Sequence, residues 1–122
     1  MSNVYGSKWI RRDKRLAIYL RDQFRCVYCN KNLANVKAKF RTLDHVVPTA
    51  IGGGNEASNL VTCCKRCNDR KSDKHLWEQT TDPIVTNRVC DALERPINRA
   101  LAKAILSGSL DLSDVLSKKI EV

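Results

Sequence analysis

The 122-residue sequence is poor in several things: two histidines, three prolines, five glycines, and aromatic rings at only 6% of positions. So few rings exclude a core built on large aromatic side chains. No apolar run approaches the roughly 18 residues that a membrane span requires. Near the N-terminus basic and apolar residues alternate (Lys8, Arg11, Arg12, Lys14, Arg15), a pattern unlike the continuous apolar stretch of a signal peptide. Internal repeats and low-complexity segments are lacking too. Six cysteines in 122 residues fall short of the roughly 8–10% that marks a disulfide scaffold. Without an export signal the thiols are expected to stay reduced in the cytoplasm, so close cysteine pairs point to metal or redox chemistry.

What is present begins with charge. Twenty-two Lys and Arg against 13 Asp and Glu give a formal net charge of +9, and the sequence pI is near 9.5. Such a surface favours a polyanion, because counterion release from a nucleic-acid backbone rewards it whatever the base sequence. The plainer alternative is a basic surface kept for solubility. Apolar residues at 43% suffice for one modest core, so a single folded domain is expected.

From Arg12 to Phe24 the apolar residues Leu16, Leu20 and Phe24 recur at i+4, which predicts an amphipathic helix with a basic outer face. Phe40 to Val47 is rich in β-formers and stops at Pro48, which predicts a strand. Ile51-Gly52-Gly53-Gly54-Asn55 reads as loop, the chain turns apolar again over Asn59–Cys64, and a helix is expected from Lys65 to about Trp77. From Asp82 onward the pattern suggests a separate helical appendage. Val85, Val89 and Leu93 share one face, Pro96 interrupts, Ile97, Leu101, Ala104 and Ile105 form a second face, and Leu112, Val115 and Leu116 a third.

Cys26-x2-Cys29 and Cys64-x2-Cys67 are two knuckles separated by 34 residues. Two residues between cysteines let a tight turn aim both sulfurs at one ion, and two such turns complete a tetrahedral structural zinc site with no open position. A thioredoxin-like redox pair is the alternative for a lone CxxC, but no βαβ pattern surrounds either knuckle. The spacing selects Cys64 and leaves Cys63 as a small buried apolar residue, with a swap of the two as the other reading; Cys90 is expected in core packing. The Cys26–Lys71 segment has few large apolar side chains, so the ion's binding energy would serve as folding energy.

Between the knuckles lie Asp44-His45-Val46-Val47-Pro48, Gly52-Gly53 and Asn59-Leu60, and the second knuckle continues into Asn68-Asp69-Arg70-Lys71. In this order the residues resemble the HNH endonuclease family in its zinc-ribbon-stapled form, over about residues 26 to 71. The residue pattern at the two ends adds an N-terminal helix and a helical C-terminal appendage to an α+β fold, with the nuclease domain expected at 1–81 and the extension at 82–122, packed on the same domain or used for association. The resemblance implies a ββα-metal core stapled by the four-cysteine zinc site. It further implies that His45 is the general base for water and that Asp44 and Asn68 are oxygen ligands of a catalytic divalent ion. Asn59 would brace the loop and orient the histidine. Neighbours on a strand leave on opposite faces, so Asp44 can hold an ion while His45 works on water. The family's third position is here Asn68 and not histidine, which favours oxygen-preferring Mg2+ or Mn2+.

Each residue also has a plainer reading: His45 bonded to backbone, Asp44 or Asn68 serving as a cap, and His75 solvated or structural instead of contacting phosphate. Lys71, one turn after Asn68, is either a phosphate contact or a solvated lysine. The basic helix, with Arg11, Arg12, Lys14, Arg15, Arg21 and Arg25, is expected to lie along DNA without reading its sequence. The alternatives in function are a catalytically silent zinc-ribbon nucleic-acid-binding module and a phage-assembly adaptor or homodimer acting through the C-terminal helices.

Overall fold

The computed structural model describes residues 10–72, 74 and 76–121; among these, no helix is long and apolar enough to cross a membrane. Helix α1 (Arg12–Arg21) comes first, followed by strand β1 (Arg41–His45), strand β2 (Leu60–Cys64) and helix α2 (Lys65–Lys71). Helix α3 (Leu76–Gln79) is a single turn, and α4 (Pro83–Glu94), α5 (Arg99–Leu106) and α6 (Leu112–Glu121) complete the chain. The architecture is mixed α and β, with one two-stranded antiparallel sheet whose register pairs Arg41 with Cys64 and His45 with Leu60.

All five residues of β2 are buried, because helices cover both its faces. Leu60 packs with Ile10 and Ile18 beneath α1, whereas Val61 and Cys63 pack with Tyr28, Val89 and Ala92 on the α4 side. This sidedness carries across the ladder, since Asp44 stands opposite Val61 and His45 opposite Leu60.

Helix α1 ends three residues earlier than its apolar spacing predicts. Gln23 and Phe24 take left-handed backbone conformations (φ 58° and 53°), which no right-handed helix can contain. Phe24 still reaches the expected core, 5.5 Å from the Tyr19 ring. Strand β1 is also shorter than expected, because Val47 leaves the ladder and bonds through both backbone groups to the Asn59 side chain. Helix α2 stops at Ser72 (φ 52°), so the single helix expected from Lys65 to Trp77 is broken.

The segment from Asp82 onward is no detached appendage. Helix α5 crosses α1, and Ala102 lies at zero exposure among Ala17, Leu20 and Phe24, with Leu101, Ile105, Leu112, Val115 and Leu116 packed around it. The apolar faces of α4 and α5 are thus spent inside the fold, with Val89 and Ala92 buried on the α4 side. Cys90, expected in the core, is exposed, because one residue past Val89 a helix has turned about 100° away.

A buried ion pair and a half-buried arginine organise the strands. Arg21 pairs with Asp22 at 2.8 Å and donates to the carbonyls of Ala57 and Leu60, while Asp22 accepts from the Thr62 backbone. Arg21 therefore belongs to the core and leaves the basic face expected of it. Arg41 donates to the carbonyls of Leu33 and Val36, with its guanidinium over the Phe24 ring at 5.2 Å.

Candidate active site

The sulfurs of Cys26, Cys29, Cys64 and Cys67 all lie within 4.8 Å of one another. Four thiols at that spacing suit one tetrahedral ion, and the donor set is the one that structural zinc takes. The first knuckle turns through Asn30 in a left-handed conformation (φ 66°), and the Cys26 carbonyl accepts from the Asn30 backbone at 2.8 Å. The second knuckle is the start of α2: Cys64 is its N-cap and its sulfur accepts from the Cys67 amide at 3.3 Å. Cys63 is fully buried beside the cluster, its thiol proton placed between the Cys64 carbonyl and the Cys26 sulfur, a contact that holds the Cys26 thiol well below its ordinary pKa, at about 4.

A cleft of about 130 Å³ opens at the end of β1, lined by Asp44, His45, Pro48, Thr49 and Asn68 among others. Asp44 and His45, neighbours on β1, meet the distant Asn68 here because α2 lies against β1. Asn68 is tied down through its amide nitrogen, which donates to Thr42 Oγ1 at 2.9 Å and to the Leu43 carbonyl at 3.3 Å. Both amide hydrogens are thereby used, and the carbonyl oxygen is the end left for a cation.

Asp44 is 4% exposed. Its carboxylate accepts from the Tyr28 hydroxyl and pairs with the Lys71 ammonium at 3.3 Å. Burial pushes the Asp44 carboxyl pKa up, a rise that Tyr28 and Lys71 oppose; burial and the Asp44 charge push the Tyr28 hydroxyl up. Lys71 itself has no exposed surface and also donates to the His45 carbonyl at 3.0 Å. The expected phosphate contact at Lys71 is therefore corrected: its ammonium is directed inward, where it neutralises Asp44 and ties α2 to β1.

The His45 Nε2 lies 2.8 Å from the Asn55 side-chain oxygen. Asn59, expected to brace the loop and orient the histidine, does brace the loop: it accepts from the Val47 amide and donates to the Val47 and Gly54 carbonyls. The glycine-rich loop allows this closeness, since a Cβ on Gly53 would stand 1.7 Å from the Val47 oxygen and 2.9 Å from the Asn59 amide nitrogen. Lys14, one of the residues assigned to the basic face, reaches across from α1 to the Asn55 carbonyl and thus anchors the residue that holds His45. Sequence reasoning missed Tyr28, Asn55 and the inward course of Lys71. Only Asn55 had a signal, as the polar residue closing a three-glycine loop after a strand histidine.

The other expected contacts lie elsewhere. Arg11 and Arg12 are exposed at the start of α1, and Arg15 is half-buried with its guanidinium donating to the Tyr19 hydroxyl at 3.2 Å. His75 lies outside the described residues.

Comparison with known proteins agrees with this geometry. A search of curated proteins returns no match. Residues 26–82, which hold both knuckles, both strands and every residue of the cleft, match the family model described as HNH endonuclease.

Proposed function

We propose that the chain is a metal-dependent endonuclease that hydrolyses phosphodiester bonds in DNA, with a structural zinc ion in the four-cysteine site. The observation that carries this reading is the meeting of Asp44, His45 and Asn68 around one small cleft. Asp44 and Asn68 offer two hard oxygens, a ligand set that suits Mg2+ or Mn2+, ions that keep several waters and bind substrate phosphate directly. When bound, such an ion offsets charge on the phosphoryl oxygens and on the departing 3′ oxygen.

The chain's own residues do the rest. The Asn55 side-chain oxygen is an acceptor, so His45 Nε2 donates to it, and the reading assigns the lone pair of the neutral imidazole to Nδ1. In this reading His45 accepts the proton of the attacking water at Nδ1, and Asn55 holds the imidazole in that tautomer. Asn59 takes no part in proton transfer; it keeps the loop carrying Asn55 folded over β1. Lys71 and Tyr28 orient the Asp44 carboxylate. The exposed Arg11 and Arg12, with Arg15 beside them, lie along the DNA backbone and add affinity without base selectivity. Reduced, closely grouped thiols suit a cytoplasmic setting.

The test is conversion of supercoiled plasmid by the zinc-loaded chain with Mg2+, with Mn2+, and with neither. Nicked or linear product that requires the added ion and disappears in His45→Ala is expected. Cleavage by His45→Ala at the wild-type rate, or intact plasmid throughout with the zinc-loaded fold verified, overturns the reading.

A further inference from the structure

A second cleft, of about 210 Å³, lies between the turn after α1 and helix α4, and Arg25, Arg88 and Arg95 all line it. It shares no residue with the catalytic cleft. We propose that this arginine cleft binds a phosphodiester group of a polynucleotide, as an anchoring site separate from the site of cleavage. The inference rests on nucleic acid being the substrate.

Three features carry it. First, no carboxylate takes up the charge there: among the described residues, none of the three arginines forms an ion pair. The one carboxylate in the lining, Asp22, is already saturated by Arg21 and the Thr62 amide. Second, two guanidinium groups are positioned by backbone and not by acids. Arg88 donates through one nitrogen to the Val27 and Tyr28 carbonyls, and Arg25 donates through one to the Asn30 carbonyl. Each keeps other N–H groups of its planar fork for an anion, the geometry that phosphate oxygens accept. Third, the volume falls below the roughly 300–1,000 Å³ of pockets that enclose a whole small molecule. It suits one anionic group of a larger molecule.

The experiment measures binding of a fluorescent DNA duplex to the zinc-loaded full chain in buffer without Mg2+ or Mn2+, over a range of salt. Wild type is compared with Arg95→Gln, which removes a side chain with no hydrogen bond or ion pair among the described residues, and with the triple Arg25→Gln, Arg88→Gln, Arg95→Gln variant. Loss of one phosphate contact flattens the slope of log affinity against log salt by about 0.9. That flattening in the triple variant, with a smaller change in Arg95→Gln and one zinc per chain retained, is expected. Unchanged slopes in both variants overturn the proposal, even where plasmid cleavage proceeds normally, so its failure is distinct from failure of the nuclease reading. If the arginines serve only to offset the thiolate charge beside them, the triple variant loses zinc while Arg95→Gln binds as wild type does, which also overturns it. Inorganic phosphate titrated by calorimetry separates the sources: saturable binding of phosphate as tight as that of the duplex would assign the site to the free anion and overturn the polynucleotide occupant.

Discussion

Replacing Lys71 by methionine removes a charge from a place where water cannot take over its role. The Lys71 side chain is 0% exposed and that of Asp44 only 4%, so the substitution leaves a carboxylate in the interior with the Tyr28 hydroxyl as its remaining side-chain partner, and takes a donor from the His45 carbonyl. Breaking a buried pair from one side costs about 3–5 kcal/mol, a large share of the roughly 5–15 kcal/mol that holds a domain together. Urea unfolding of the zinc-loaded protein should show this directly. With a slope of about 1–3 kcal/mol per molar urea, the midpoint falls by about 1 M or more at unchanged slope. Asp44→Asn alone strands the ammonium and costs a similar amount. The double variant Asp44→Asn, Lys71→Met removes both charges and should fall short of the sum of the single losses by about 3 kcal/mol. A Lys71→Met midpoint equal to wild type, or strict additivity in the double variant, would refute the inward role of Lys71. A phosphate-binding lysine would show the opposite pattern: unchanged stability and weakened DNA affinity.

Further outcomes follow from the same geometry. Gly53→Ala should destabilise the chain by about 3 kcal/mol, the upper end for overpacking, and abolish cleavage, since the new Cβ displaces the Val47 carbonyl and the Asn59 clip; melting temperature and plasmid cleavage read both. Cys64→Ser should lose bound zinc and unfold, whereas Cys63→Ser should keep one zinc per chain by native mass spectrometry. A retained zinc in Cys64→Ser would restore the swapped assignment. The hydrogen bond from Arg99 holds the Asp13 carboxyl below its ordinary pKa. A depressed folded-state value means that this link between α1 and α5 adds stability above the carboxylate range and loses it as pH falls through the folded value. Asp13→Asn should therefore show a shallower acid loss of stability than wild type, and identical acid profiles would remove the link.

The chemistry of this chain was more legible in its sequence than its packing. CxxC spacing alone chose Cys64 over Cys63, because backbone geometry ties that spacing to one turn, and the structure brings the four chosen sulfurs together. Strand alternation put Asp44 and His45 on opposite faces, as the register has them. What escaped were charged residues turned inward. Arg21 and Lys71 stand among other charged side chains in sequence, and nothing local distinguishes a solvated cation from one that neutralises a distant carboxylate. Helical periodicity in the C-terminal third identified the apolar faces, yet a face does not name its partner. Only the fold showed α5 lying across α1. The early end of α1 has the same origin, since the left-handed Gln23 and Phe24 answer to the tertiary seat of the Phe24 ring and not to local preference.

Cys64 closes β2, caps α2 and presents one of the four clustered sulfurs. Cys67 and Asn68 are successive residues of that seven-residue helix, with Lys71 one turn beyond. The sulfur cluster and the cleft of Asp44, His45 and Asn68 are thus joined by a rigid splint rather than a flexible tether. A chelator or an oxidant acting on the sulfurs would slacken the splint and let Asn68 and Lys71 drift from Asp44 together. In the proposed nuclease the thiols would act as a fuse: chemical damage at the sulfurs would disarm the cleft at the other end of α2.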